Sequence, residues 1–149
     1  MNKIAIIYAS VHHHNTKKLV EGIAANCKID LINILTAENI DLSSYNLVGY
    51  ASGIYMSTFH KSLIMFIEKH NNLPNKAFLM YTSGSGSKKY ANSFKRKLEE
   101  KNINVIGIYS CKGYDTYGFW KFLGGIAKGH PSPKDILNGT CFINKLIDN

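Results

Sequence analysis

The sequence predicts an α/β fold, a doubly wound sheet of five parallel strands, from three observations. Five short apolar runs recur without polar alternation, amphipathic segments at helical spacing separate them, and the turns that follow several of them are rich in Gly, Ser, Thr and His. Runs apolar on both sides belong to strands buried on both faces, and that requires helices above and below a parallel sheet. With 149 residues, 45% of them apolar, one domain spanning 1–149 with a single substantial core is the expected organisation.

The elements follow in order. "KIAIIYA" (3–9) has strand length and no polar interruption, and "TKKLVEGIAANC" (16–27) places Leu19, Val20, Ile23 and Ala24 at helical spacing. "IDLINI" (29–34) reads as the second strand, and "LSSYNLVGYAS" (42–52) as a turn leading into the third. "HKSLIMFIEKH" (60–70) is the next helix and "KAFLMYTS" (76–83) the fourth strand. "KKYANSFKRKLEEKN" (88–102) aligns Tyr90, Phe94 and Leu98 on one helical stripe, and "INVIGIYSC" (103–111) is the fifth strand. "SPKDILNGTCFINKLID" (132–148) ends the series as a helix with Ser132 as its cap and Pro133 in its first turn.

Composition removes several functional classes. No run approaches the roughly 20 apolar residues of a membrane span, and "MNKIAII" lacks the span and cleavage site of a signal peptide, so a cytoplasmic protein with no membrane partner is expected. Cys27, Cys111 and Cys141 are odd in number and far apart, which argues for reduced thiols in packing roles. Eighteen basic against ten acidic residues give a net charge of +8, which favours acidic partners or anionic ligands. The basic residues are scattered and "KRKLEEK" (95–101) mixes signs, so no nucleic-acid surface is expected.

In a doubly wound sheet, ligands bind beyond the carboxyl ends of the strands, so the chemistry is sought in the turns just after them. "SVHHHNT" (10–16) enters a helix amino end, where free N–H groups and the helix dipole favour a phosphate, and Ser10, Asn15 and Thr16 add hydrogen bonds without negative charge. His12 and His14 can add one each. They lack a third acidic or thiolate ligand nearby, so no metal site is expected. Neither GxxxxGK[ST] nor GxGxxG follows the first strand. After the third strand, "SGIYMSTFHK" (52–61) offers Gly53 for close backbone approach and Tyr55 as a ring at the ligand edge. "TSGSGSKK" (82–89) can present several N–H groups to a polar ring edge, and "CKGYDTYGFWKFLGG" (111–125) supplies aromatic rings able to stack on a flat ligand. A phosphate cradle, two glycine-bearing loops and aromatics around one crevice describe a site for a phosphorylated planar ring.

The ordered set "SVHHHNTKK" (10–18), "DLSSYNLVGYASGIY" (41–55), "FHKSL" (59–63), "TSGSGS" (82–87), "GYDTYG" (113–118) and "GHPSPKDI" (129–136) resembles the flavodoxin family, in particular its short single-domain members. The resemblance covers essentially the whole chain. It implies strand order 2-1-3-4-5 and FMN held without a covalent bond, for transfer of electrons one or two at a time between redox partners. By position it assigns the phosphate to Ser10, His12, His14, Asn15 and Thr16, and one side of the ring to Ser52, Gly53, Ile54 and Tyr55. Thr82, Ser83, Gly84, Ser85 and Gly86 would lie near the polar edge, while Gly113, Tyr114, Asp115 and Tyr117 would close the other side. No residue need act as acid or base.

Two departures from the family pattern stand out. His14 occupies a position usually held by glycine, and the net charge is basic where electron-carrying flavodoxins are usually acidic. The basic charge suggests an acidic redox partner, such as a ferredoxin-like protein, or an anionic small substrate, and a reductase supplied with electrons is the other partner expected of a carrier. Electron carriage is preferred over a flavin-dependent NAD(P)H:acceptor (quinone-type) reductase, because the short chain leaves little material for a nicotinamide site. A binding module that keeps the fold without FMN is the third reading.

Overall fold

A computed structural model describes residues 2–116 and 118–149, with the backbone alone at 118–120. Its elements are β1 (Ile4–Ala9), α1 (Asn15–Ala24), β2 (Asp30–Asn33), β3 (Leu47–Tyr55), β4 (Thr58–Phe59), α2 (Lys61–Lys69), β5 (Lys76–Ser83), α3 (Asn92–Glu100), β6 (Asn104–Lys112) and α4 (Pro133–Asp148). A 3-10 turn, Gly118–Leu123, lies between β6 and α4. The parallel strands stand in the order β2-β1-β3-β5-β6, and β4 pairs with β3 alone, antiparallel. Leaving β4 aside, the five parallel strands keep the expected order.

Alternation explains the unbroken apolar runs. Ile7, Ala9, Tyr50, Leu79 and Tyr81 face α2 and α3, while Ile6, Tyr8, Ala51, Phe78 and Met80 face α1 and α4. The central strands β1, β3 and β5 therefore run nearly without polar interruption, because both of their faces are covered.

The chain departs from the sequence reading in three places. "SGIY", expected in a loop after the third strand, continues β3 through Tyr55. The chain then reverses over Met56 and Ser57, at φ 52° and 64°, into β4. Two residues at positive φ make the turn whose twist matches a hairpin, and since neither is Gly, Asn or Asp the sequence carried no turn signal there. The helix expected over 88–102 begins only at Asn92, because Ser85 and Ser87 side chains accept N–H groups from Ser87 and Lys89 and hold the preceding turn open. α1 stops at Ala24, with the N–H groups of Asn26 and Cys27 folding back on the Ile23 carbonyl.

α4 begins as its residues demand. Ser132 Oγ accepts the Asp135 N–H at 3.2 Å and Asp135 Oδ2 accepts the Ser132 N–H at 2.7 Å, a capping box with Pro133 at the first helical position. Among the described residues no helix is long and apolar enough to cross a membrane.

Candidate functional site

The carboxyl ends of three central strands are level, with Ala9 paired to Ser52 and Gly53 to Thr82. The chain leaves the sheet at this edge, and a cleft of about 420 Å3 opens above it. Ser10, His12, His13, Asn15 and Thr16 line it from the first loop, Gly53, Ile54, Tyr55 and Met56 from the β3–β4 hairpin, and Thr82, Ser83 and Gly84 from the end of β5. Tyr114, Asp115, Thr116 and Lys121 complete the lining.

The first loop is built by two successive left-handed residues, His13 at φ 54° and His14 at φ 51°. They turn the chain sharply from β1 into α1, and His enters this region more readily than most residues. His13 Nε2 comes within 2.9 Å of Thr116 Oγ1, and its ring lies 4.5 Å from that of Tyr114. His14 is exposed and is not among the lining residues.

α1 opens without a side-chain cap. Lys17 N–H donates to Ser10 Oγ at 3.1 Å, but among the described residues no chain acceptor meets the N–H groups of His14, Asn15 and Thr16. A missing cap costs about 1 kcal/mol. Burial of Leu19, Val20 and Ile23, at about 1.5–3 kcal/mol each, exceeds that cost several times over, so the helix holds while its amino end stays open.

Close approach sets the floor and far wall. Asn15 Nδ2 donates to the Tyr114 carbonyl at 2.8 Å, and a Cβ on Gly113 would fall 2.6 Å from that Nδ2, so only glycine fits there. A Cβ on Gly84 would fall 2.7 Å from the Asp115 Cβ. The buried hydroxyls of Thr16 and Thr82 lie 3.0 Å apart and join α1 to β5. Asp115 and Ile126 exchange two backbone hydrogen bonds, Tyr114 N–H donates to the His130 carbonyl, and Tyr114 Oη donates to the Gly124 carbonyl at 2.9 Å.

Tyr55 folds back over the first loop. Its Oη accepts the Val11 N–H at 3.2 Å, and its ring stands 6.0 Å from His12 and 5.0 Å, edge-on, from His60. Burial pushes the Tyr55 phenol up, with the Val11 and His12 N–H groups holding it partly back. Burial, then the neighbouring Lys61, pushes His60 down, which keeps its Nδ1 free to accept the Ser62 N–H at 3.1 Å and cap α2.

Five of the other residues singled out by sequence sit beside the cleft without lining it. Ser52 is fully buried and its Oγ accepts the His60 N–H at 2.9 Å, tying β3 to α2. Ser85 Oγ lies 3.0 Å from Tyr90 Oη, and Gly86, at φ 71°, donates its N–H to Ser83 Oγ. His14 and Gly113 shape the walls from behind, and Tyr117 lies outside the described residues. Conversely, His13, Met56, Thr116 and Lys121 line the cleft and were not selected from the sequence. All four sit inside the quoted stretches, but none of them was singled out by its side-chain chemistry. Among the described residues no group of three or more His, Cys, Asp or Glu is placed to hold a metal ion. Burial, with Asp135 behind it, pushes the Cys111 thiol up to about 12, so it remains a protonated packing residue.

Comparison with known proteins agrees with this architecture. The model of the flavodoxin domain matches residues 5–121. An uncharacterized protein of Methanocaldococcus jannaschii is 36% identical over 149 residues, covering 99% of both chains. Oxidised flavodoxin 1 from Bacillus cereus superposes over 99% of both chains with a TM-score of 0.71 at 17% identity. A flavoprotein from Lactobacillus acidophilus, solved in complex with FMN, matches over 74% of this chain and 93% of its own, with a TM-score of 0.63 at 19% identity. At those identities the two structures speak for the fold alone, and the family rests on the match over 5–121: the chain belongs to the flavodoxin-domain family.

Proposed function

We propose that the protein binds FMN non-covalently in this cleft and carries electrons between redox partners. The observation that carries the reading is the uncapped amino end of α1, whose open N–H groups at His14, Asn15 and Thr16 face the carboxyl edge of the sheet next to a cleft of cofactor size. The donor set fits a phosphorylated planar ring. Backbone N–H groups with Ser10, Thr16 and Asn15 would hold the phosphate, and no carboxylate lies in that loop to repel it. Gly53–Met56 and Tyr114–Thr116 would flank the ring, and Thr82–Gly84 would meet its polar edge. Gly84 lets this loop pack closely on the far wall, because a Cβ there would fall 2.7 Å from Asp115.

Bound FMN would supply the redox chemistry, one or two electrons at a time. The chain's own part is to bind the phosphate, orient the ring between Tyr55 and Tyr114, and exclude water from the inner face. The test is titration of cofactor-free protein with FMN and with riboflavin, followed by visible absorption. FMN should bind at least about tenfold more tightly than riboflavin, the two differing by the phosphate that about 1.4 kcal/mol or more of loop contacts would hold. Equal affinities, or none, would remove the phosphate assignment. Steady NADPH oxidation by the FMN-loaded protein alone would replace the carrier by the reductase.

A further inference from the structure

The charge of the molecule is not spread evenly over it. The turns that follow the strands, together with the first turn of each helix they enter (residues 10–18, 34–38, 52–64, 83–95 and 112–136), contain ten lysines against three acidic residues. The remaining chain holds eight basic and seven acidic residues. Of the net +8, +7 therefore lies on the edge of the sheet where the cleft opens.

Lys17 and Lys95 are paired with Glu21 and Glu99 one turn below the edge, and the three acids on the edge itself do little to offset the remaining eight lysines. Asp135 is held by Ser132 and His130, Asp115 lies inside the cleft, and Glu38 stands on the turn after β2. The edge also carries apolar tips around the mouth: Met56 is 89% exposed, Phe122 86% and Leu123 62%. Exposed apolar groups inside a charged rim are the anatomy of a transient protein interface.

We infer that this lysine edge is the docking surface for an acidic redox protein, which would meet the mouth of the cleft with Met56, Phe122 and Leu123 at the centre of contact. The inference rests on the proposed electron carriage. Charge complementarity names the occupant, and the kind of cation refines it. All ten basic groups on the edge are lysines, while the chain's one arginine, Arg96, lies outside it. Lysine is a flexible, hydrated point charge suited to long-range steering, whereas tight bidentate capture of anions favours arginine. Lysine steering with a small apolar centre suits a partner that must bind and leave quickly. An anionic membrane is the weaker fit, because the three apolar tips sit on two separate turns and not along one helical stripe.

The test uses an acidic [2Fe–2S] ferredoxin as probe, with binding measured calorimetrically on the chain both with and without FMN. Affinity should fall at least about tenfold between 20 and 200 mM salt. Two charge-reversal variants locate the surface while changing net charge equally: K88E/K89E/K128E on the edge, and K28E/K76E/K145E away from it. All six lysines are exposed and none lines the cleft. The edge variant should lose about tenfold or more in affinity at 20 mM salt, and the other less than about threefold. Equal losses, or no binding at low salt, would overturn the inference, as would binding to phosphatidylserine vesicles with no binding to ferredoxin. Because docking is read without the cofactor, failure to bind FMN removes the proposed function while leaving this result legible.

Discussion

The two walls of the cleft are built on opposite terms. The described residues of the far wall bond among themselves: two bonds between Asp115 and Ile126, Tyr114 donating to the His130 and Gly124 carbonyls, and His130 held by Asp135 at 2.7 Å at the foot of α4. The 10–16 loop does the reverse, spending two left-handed histidines on a sharp turn and leaving the N–H groups of His14, Asn15 and Thr16 without chain acceptors among the described residues. One wall is tied by hydrogen bonds among its own described residues, and the other keeps donors that a ligand would satisfy. A site of this kind is made by pairing a self-sufficient wall with an unfinished one, joined at Asn15 to the Tyr114 carbonyl and at His13 to Thr116.

The largest effect should come from spoiling that junction. Gly113→Ala places a Cβ 2.6 Å from Asn15 Nδ2, and the clash costs about 1–3 kcal/mol of stability as overpacking does. FMN affinity should fall with it, because Asn15 is displaced from the first turn of α1. Thermal unfolding of the variant, beside FMN titration, reads both, and a stability within about 0.5 kcal/mol of the parent would mean that the walls do not meet as described.

Next in size is the anchor of the closed wall. Asp135→Ala removes half of the capping box and the partner of His130, at about 1–2 kcal/mol. Burial alone would raise the Asp135 carboxyl, but the N–H and hydroxyl of Ser132 and the His130 ring together bring it below its ordinary value near 3.8. A group depressed in the folded state stabilises fully above its ordinary value and loses that contribution as pH falls through the lower folded value. The gap between parent and variant should therefore be complete at neutral pH and narrow below about pH 4, as denaturant unfolding at several pH values would register. A gap independent of pH would leave only the packing of the side chain. FMN affinity should change less than in Gly113→Ala, since the unfinished wall is untouched.

Much of this was legible beforehand because it depends on period and on end signals. Two-faced burial makes β1, β3 and β5 continuous apolar runs, and Ser132 and Pro133 announce the start of α4. What could not be read depends on backbone handedness. Which of three adjacent histidines meet the cleft follows from two φ angles near 50°, and they bring His13 to Thr116 while His14 stays out of the lining that His12 and His13 share. Met56 reaches the lining because a hairpin turns without glycine or asparagine, so the sequence showed only a loop. Ser52, buried against the start of α2, illustrates the limit of reading a motif as a unit: Gly53 to Tyr55 line the cleft, and their neighbour instead receives the His60 N–H.

The smallest effect separates strain from binding in the unfinished wall. His14 sits at φ 51° and ψ 33°, where a side chain is disfavoured, and it caps nothing. Replacing it by glycine relieves the left-handed cost but adds freedom to the unfolded chain, so His14→Gly should stabilise by about 0.5–1 kcal/mol at most. On the proposed reading His14 contributes its N–H, and its imidazole is not among the lining groups, so FMN affinity should stay within about threefold, the backbone donor being retained. A loss of affinity of tenfold or more would show that the imidazole itself reaches the phosphate and that the loop closes further than its present shape. Unchanged affinity with raised stability would instead make the histidine a tolerated occupant of a glycine position, contributing to anion binding through its main chain alone.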